Sequence, residues 1–209
     1  MLTLSSKLIH KKALPERILH SNLPDEILLS YVHIDGVKMY VDKDTQEAIT
    51  GSKLIKTLAK QYYDESITEI ISKKYEKPRA FIRDTEISVS FSHTKIGLSA
   101  SLSKIYTVGC DIEMTDRNVS PALLARMRCP SEGESLYKKA DPIQIWTLKE
   151  AALKMIGTGL RKPMNSVTVT MLEDSLFDVE FGDGKRAKIC SFQHKDHWIS
   201  ICYHKHNLP

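Results

Sequence analysis

The sequence has little of what marks a membrane, secreted or nucleic-acid-binding chain. No run approaches the roughly 18 apolar residues of a membrane-spanning helix. Met1 to Glu16 carries basic residues but no apolar stretch of signal-peptide length. The only cysteines are Cys110, Cys129, Cys190 and Cys202, and none form a Cys-x-x-Cys pair. A disulfide framework is therefore not indicated, and a reduced, cytoplasmic setting is expected. Charge of one sign is also missing: 30 basic and 26 acidic side chains leave a net +4. The first 108 residues hold 16 basic and 13 acidic side chains, the remainder 14 and 13. Neither half is a polybasic module, so nucleic acid is not the expected partner. What is present is a 209-residue chain, 42% hydrophobic and 27% charged. That composition suits a globular protein of one large domain or two small packed ones.

The patterning predicts helices followed by a sheet, given twice. Leu28 to Val41 alternates around Asp35-Gly36, a hairpin signal. Thr45 to Tyr63 carries a helical stripe weakened by Gly51, and Ser66 to Tyr75 reads as a second, shorter helix. Lys77-Pro78-Arg79 breaks the pattern. Strands are expected at Ile87–Phe91, Ile96–Ser103 and Ile105–Ile112. Pro121–Arg128 reads as a helix, and Ser131-x-x-Glu134 as a capping box opening another, to Lys139. Asp141-Pro142 opens a longer helix with Ile145, Leu148, Ala152 and Met155 facing the core. Four antiparallel strands follow, Val167–Leu172, Phe177–Phe181, Ala187–Gln193 and Trp198–Tyr203. The fold class expected is α+β with two similar halves packed together and a ligand cleft between them. His194, His197, His204 and His206 lack acidic or cysteine partners at a metal-site spacing and read as a solvated face.

Two segments carry the chemistry, Val108-Gly109-Cys110-Asp111-Ile112-Glu113 and Trp146-Thr147-Leu148-Lys149-Glu150-Ala151-Ala152-Leu153-Lys154. On a strand, Asp111 and Glu113 project from one face. On a helix, Glu150 and Lys154 share a face. Adjacent carboxylates repel unless a cation sits between them. Three acids from two elements suit a hard, oxygen-loving dication such as Mg²⁺, which commonly recruits substrate phosphates to complete its shell. Read alone, each piece has a bland meaning: a solvated strand edge, or a surface i,i+4 ion pair.

Together these segments resemble the motifs of the 4′-phosphopantetheinyl transferase superfamily, in its surfactin-type, two-half, monomeric branch. Supporting pieces stand in the family's order: Lys77-Pro78, Phe91-Ser92-His93-Thr94 and Gly157-Thr158-Gly159-Leu160. The resemblance spans about residues 75 to 170. It implies two α/β halves in a pseudo-twofold relation, divided as 1–105 (coenzyme A nucleotide side) and 106–209 (metal and catalytic helix). It implies Glu150 and Lys154 as catalytic residues and Asp111, Glu113 and Glu150 as ligands of Mg²⁺, with Mn²⁺ as a substitute. It implies coenzyme A as substrate, contacted by Lys77, Pro78, Arg79, Ser92, His93, Lys154, Gly157 and Gly159. Ser92 and His93 would meet the nucleotide and its 3′-phosphate, and Gly157 and Gly159 would either cap a helix or admit the pantetheine chain. The reaction implied moves 4′-phosphopantetheine onto a serine of an apo acyl or peptidyl carrier protein and releases 3′,5′-ADP. A monomer is expected, with no nucleic acid and no membrane partner.

The resemblance departs in two places. The stretch from Met114 to Ile145 is shorter than in many relatives, and in the family it holds carrier-protein contacts. The basic residue expected ahead of Gly51 is not in Gln46–Thr50, leaving Lys43 and Lys53 as candidates. Two other readings use some of the same residues: a metal-dependent phosphodiesterase or nuclease, and a non-catalytic coenzyme A-binding, carrier-docking module.

Overall fold

The computed structural model describes residues 15–33, 43–73 and 76–205, with only the backbone described for 43–50. The first passage runs β1 (Glu16–Ile18), β2 (Leu28–His33), α1 (Lys43–Tyr63), β3 (Glu69–Ile71), β4 (Arg79–Ile82), β5 (Thr85–His93) and β6 (Gly97–Ser103). The second runs β7 (Tyr106–Met114), α2 (Pro121–Met127), α3 (Glu134–Lys139), α4 (Pro142–Met155), β8 (Val167–Glu173), β9 (Leu176–Phe181), β10 (Arg186–His194) and β11 (His197–Lys205). Short 3-10 turns at Gly159–Arg161 and Met164–Ser166 link α4 to β8.

The strands form two antiparallel sheets, ordered β1-β2-β6-β5-β4-β3 and β7-β11-β10-β9-β8. With β1 set aside, the two orders match. In each passage one strand precedes the helical part and pairs with the last strand of a four-strand meander. The expected order, helices then sheet, is corrected in that respect: β2 and β7 come first. The mixed helix-and-sheet class is observed.

Strand alternation builds the layers. On β5 and β6, Ile87, Val89, Leu98, Ala100 and Leu102 face α1 and pack on Leu54, Ile55, Leu58 and Ala59. Gly51 lets that helix close on Phe91, because a Cβ there would lie 2.5 Å from the phenyl ring. The opposite residues are serines, Ser88, Ser90 and Ser92 on β5 and Ser99, Ser101 and Ser103 on β6. They look like a solvent face in sequence but line the junction of the two sheets. Ser88 Oγ accepts from Val108 N and Ser90 Oγ from Cys110 N, both at 2.9 Å. These bonds satisfy the edge amides of β7, the outermost strand of its sheet. Leu29 and Tyr31 meet Val108, Cys110, Ile112, Ile199 and Ile201 in the apolar core between the sheets. A third core joins α4 and its neighbours to the other face of the second sheet.

Four local expectations change. Ser66–Tyr75 is not a helix: its centre is β3, whose β-branched Ile70 and Ile71 pair with β4. Lys77-Pro78 lies between elements, but Arg79 begins β4, a strand the residue pattern did not show, which turns straight into β5 through Arg83 at φ 55°. Ser131-x-x-Glu134 is no capping box. Gly133 is the N-cap of α3 without a side-chain cap, Ser131 Oγ bonds Thr168 Oγ1 at 2.7 Å, and Glu134 pairs with Arg128. His197 is fully buried rather than solvated. Asp141 is the N-cap residue of α4 but makes no side-chain cap bond. The hairpin tip Asp35-Gly36 lies outside the described residues. Among the described residues, no helix is long and apolar enough to cross a membrane.

Candidate active site

Gly109 decides how closely the two acid-bearing elements approach. A Cβ at Gly109 would stand 2.2 Å from the Ala151 carbonyl oxygen and 2.3 Å from the Met155 nitrogen. Only glycine lets the α4 backbone rest directly on β7. That contact carries Asp111, two residues along β7, to the Glu150–Lys154 face of α4.

Asp111 is 3% exposed and Glu150 is 7% exposed. Lys154 Nζ donates to Asp111 Oδ1 at 2.7 Å and to Ser92 Oγ at 2.8 Å, and Ser92 Oγ donates to the same carboxylate oxygen at 2.8 Å. One triangle thus joins β5, β7 and α4. Asp111 Oδ2 is buried with no hydrogen-bond partner. Glu113, farther along β7, pairs with Arg117, whose guanidinium lies 4.7 Å over the Trp146 ring. Half-buried Trp146 is therefore a wall of the site.

The electrostatics are those of crowded acids. Burial pushes the Glu150 carboxyl up to about 7, and the Asp111 and Glu113 charges add to this against Lys154 and Arg117. Burial and then Asp111 also raise Glu113. For Lys154, burial works against the charge, but Asp111 and Glu150 outweigh it and raise its pKa. A carboxyl near 7 can accept a proton at neutral pH without being permanently protonated. Among the described residues no three Asp, Glu, His or Cys side chains are drawn together around a metal position; Lys154 holds the Asp111 charge instead. The donor chemistry nevertheless fits a hard dication. One buried carboxylate oxygen lacks a partner, and two neighbouring acids are raised by burial first and then by the Asp111 charge.

The remaining expected residues spread outward from this centre. Lys77 Nζ donates to Val108 O at 2.7 Å, Met155 O at 3.1 Å and Ser88 Oγ at 3.2 Å. Its ammonium joins β4's approach, β7 and the end of α4, and burial lowers its pKa to about 8. Pro78 is half-buried beside it. Arg79 is exposed and holds Glu86 through two bonds of 2.9 and 2.6 Å. His93 ends β5, half-buried, on the Phe91 side of the strand. Gly157, at φ +78°, closes α4: its N–H reaches Lys154 O and the Thr158 N–H reaches Leu153 O, both at 3.1 Å. That is the helix-capping role of a left-handed glycine. Gly159, at φ +51°, has open space where a Cβ would stand. Lys53 is exposed on α1, and the side chain of Lys43 is outside the described residues.

Sequence reasoning missed Glu132. It is 6% exposed and binds Lys149 at 2.6 Å, the Val169 N–H at 2.9 Å, the Cys129 N–H at 2.8 Å and the Tyr137 hydroxyl. Lys149, fully buried, also donates to Val167 O at 2.9 Å. Lys149 thus faces away from the acids and anchors α4 to β8 and the loop before α3. The signal available was a lysine among the apolar positions of α4, which needs a buried acid somewhere.

A sequence model described as the 4′-phosphopantetheinyl transferase superfamily matches residues 107–202. Curated relatives agree. A 4′-phosphopantetheinyl transferase of Bacillus subtilis is 26% identical over 156 residues, covering 70% of this chain and 68% of that protein. The 4′-phosphopantetheinyl transferase Sfp of Bacillus subtilis (strain 168) is 24% identical over 155 residues, covering 70% and 67%. The 4′-phosphopantetheinyl transferase gsp of Aneurinibacillus migulanus is 27% identical over 154 residues, covering 71% and 62%.

Proposed function

We propose, from the premise that this chain belongs to the 4′-phosphopantetheinyl transferase superfamily and is an enzyme of that kind, that it transfers 4′-phosphopantetheine from coenzyme A to a serine hydroxyl of an apo carrier protein, releasing 3′,5′-ADP. The observation that carries this reading is the Asp111–Lys154–Ser92 triangle with Glu150 beside it at a pKa of about 7. It brings a carboxyl, an ammonium and an unpartnered acid oxygen to the meeting of β5, β7 and α4.

Asp111, Glu113 and Glu150 would hold Mg²⁺, with Mn²⁺ as a substitute. When bound, the ion would offset charge on the coenzyme A pyrophosphate. The chain's own residues do the rest. The carrier serine oxygen attacks the β-phosphorus, and the bond from that phosphorus to the ADP oxygen breaks. Glu150 takes the serine proton, since a serine hydroxyl is a poor nucleophile at neutral pH. Lys154 steadies the negative charge that builds on the pyrophosphate as ADP leaves. Ser92 and His93 serve the nucleotide phosphate, with Pro78 and Arg79 toward the adenine. Lys77 fixes that wall through its three protein acceptors. Gly159, with open space beside it, leaves room for the pantetheine chain along the end of α4. The matching strand orders support a pseudo-twofold pair of halves divided near residue 105, with the site between them. A cytoplasmic setting fits the cysteine pattern, and a monomer follows from the resemblance to the two-half branch.

The test incubates the protein with coenzyme A, Mg²⁺ and a panel of apo carrier proteins, then measures intact carrier mass. A gain of one phosphopantetheine group on at least one carrier is expected. Glu150→Gln should cut that rate by about 10²-fold or more, with circular dichroism unchanged. No gain on any carrier, with nucleotide hydrolysed instead, would favour the phosphodiesterase reading.

A further inference from the structure

Histidine 197 opens β11, in the second half, yet its imidazole crosses into the first. Its Nε2 lies 2.9 Å from Thr94 Oγ1. Thr94 organises the turn from β5 to β6: its Oγ1 accepts the Gly97 N–H at 3.0 Å, and its own N–H donates to Gly97 O at 2.7 Å. Gly97 makes room for the ring, because a Cβ there would stand 2.8 Å from His197 Nε2. The imidazole is fully buried, tilted against Tyr31 at 5.5 Å between centroids, and its Nδ1 has no partner. An apolar ring would fill the same space without burying an unpaired nitrogen. Packing alone does not explain a histidine here.

The segment it grips carries the nucleotide-facing residues. Ser92 is tied to the second half by Asp111 and Lys154. Thr94 is tied to it by His197. His93 sits between these two attachments. Its backbone is therefore fixed from both sides by the half that does not contain it.

We propose that His197 is a positioning residue for coenzyme A: through Thr94 it sets the Ser92-His93 segment at the spacing that receives the 3′-phosphate. The proposal rests on the assignment of Ser92-His93 to that phosphate. His197 itself touches no substrate. Its loss therefore weakens the contribution of one phosphate and leaves the chemical step alone.

The experiment measures binding of coenzyme A and of dephospho-coenzyme A, the same molecule without its 3′-phosphate, by calorimetry with Mg²⁺ present. Steady-state kinetics on a modified carrier run in parallel. The variants are His197→Phe, which keeps the ring volume, Thr94→Val, which breaks the same contact from the other half, and His197→Gln, whose amide nitrogen can replace Nε2. Wild type should bind coenzyme A more tightly than the dephospho form. His197→Phe and Thr94→Val should raise Kd and KM for coenzyme A about tenfold, the loss of roughly one hydrogen bond's worth of binding. Binding of dephospho-coenzyme A and kcat at saturation should stay as in wild type, and His197→Gln should recover most of the preference. If one of the two disrupting variants fails to fold, the other decides. Wild-type preference for coenzyme A in both variants would overturn the proposal, as would equal weakening of the two nucleotides. A wild type that does not distinguish the nucleotides would instead overturn the Ser92-His93 assignment, and the proposal with it.

Discussion

Lys154 Nζ and Asp111 Oδ1 meet at 2.7 Å where α4 crosses β7. The Asp111 side chain is 5% exposed and that of Lys154 28% exposed. The pair is mostly out of water, so its members are coupled. Lys154→Met should cost about 2 kcal/mol, less than a fully buried pair because water reaches the ammonium. Asp111→Asn in the Lys154→Met background should then cost less than in wild type. Urea unfolding of the four proteins checks this, and strict additivity would show the pair to be uncoupled.

Gly109 has no substitute. A methyl group there meets the Ala151 carbonyl oxygen and the Met155 backbone, which cannot rotate aside. Gly109→Ala should destabilise by about 3 kcal/mol or more, at the upper end of overpacking costs, and should lower activity by moving Asp111 from Glu150. An unfolding midpoint equal to wild type would show that α4 can shift without penalty.

Lys149 and Glu132 form a fully buried ion pair at 2.6 Å. Lys149→Met leaves the Glu132 charge buried and should cost about 3–5 kcal/mol. Combining it with Glu132→Gln should recover much of that loss, since the amide carries no charge to strand. Residual activity per folded molecule should remain near wild type in the double variant, whereas a specific loss of kcat would place Lys149 in the reaction.

Lys77 gives a pH dependence of known sign. Burial lowers its pKa from 10.5 to about 8. Between those values the unfolded chain binds the proton and the folded chain does not, so stability from this group rises with pH. It is fully present above about 10.5 and lost as pH falls through 8. Lys77→Met removes this term. The stability of wild type minus that of Lys77→Met should therefore increase from pH 8 to pH 10.5. A signed difference that falls over that range would mean the ammonium is not desolvated. The wild-type curve alone would not show this, because the buried Cys110 and Cys190 thiols, raised to about 12, oppose it above pH 9.

The acids were legible because their spacing is local: i and i+2 on a strand, i and i+4 on a helix. The strands of the second sheet were legible because they alternate cleanly and turn at Asp183-Gly184. What the sequence hid is where tertiary partners decide. Ser88, Ser90 and Ser92 alternate with apolar residues like any half-solvated strand, and nothing local shows that β7 covers them. β4 was masked because its turn uses Arg83 in the left-handed region, where glycine or asparagine is the readable signal. Glu132 and His197 were hidden because their partners, Lys149 and Thr94, lie 17 and 103 residues away.

The account turns on whether Asp111, Glu113 and Glu150 hold one divalent ion beside coenzyme A. Electron paramagnetic resonance of Mn²⁺, titrated into the protein with coenzyme A, measures this directly by counting the ions withdrawn from solution. The expected result is one bound ion per chain in wild type and weak or no binding in Asp111→Ala. No bound ion in wild type, or undiminished binding in folded Asp111→Ala, would contradict it.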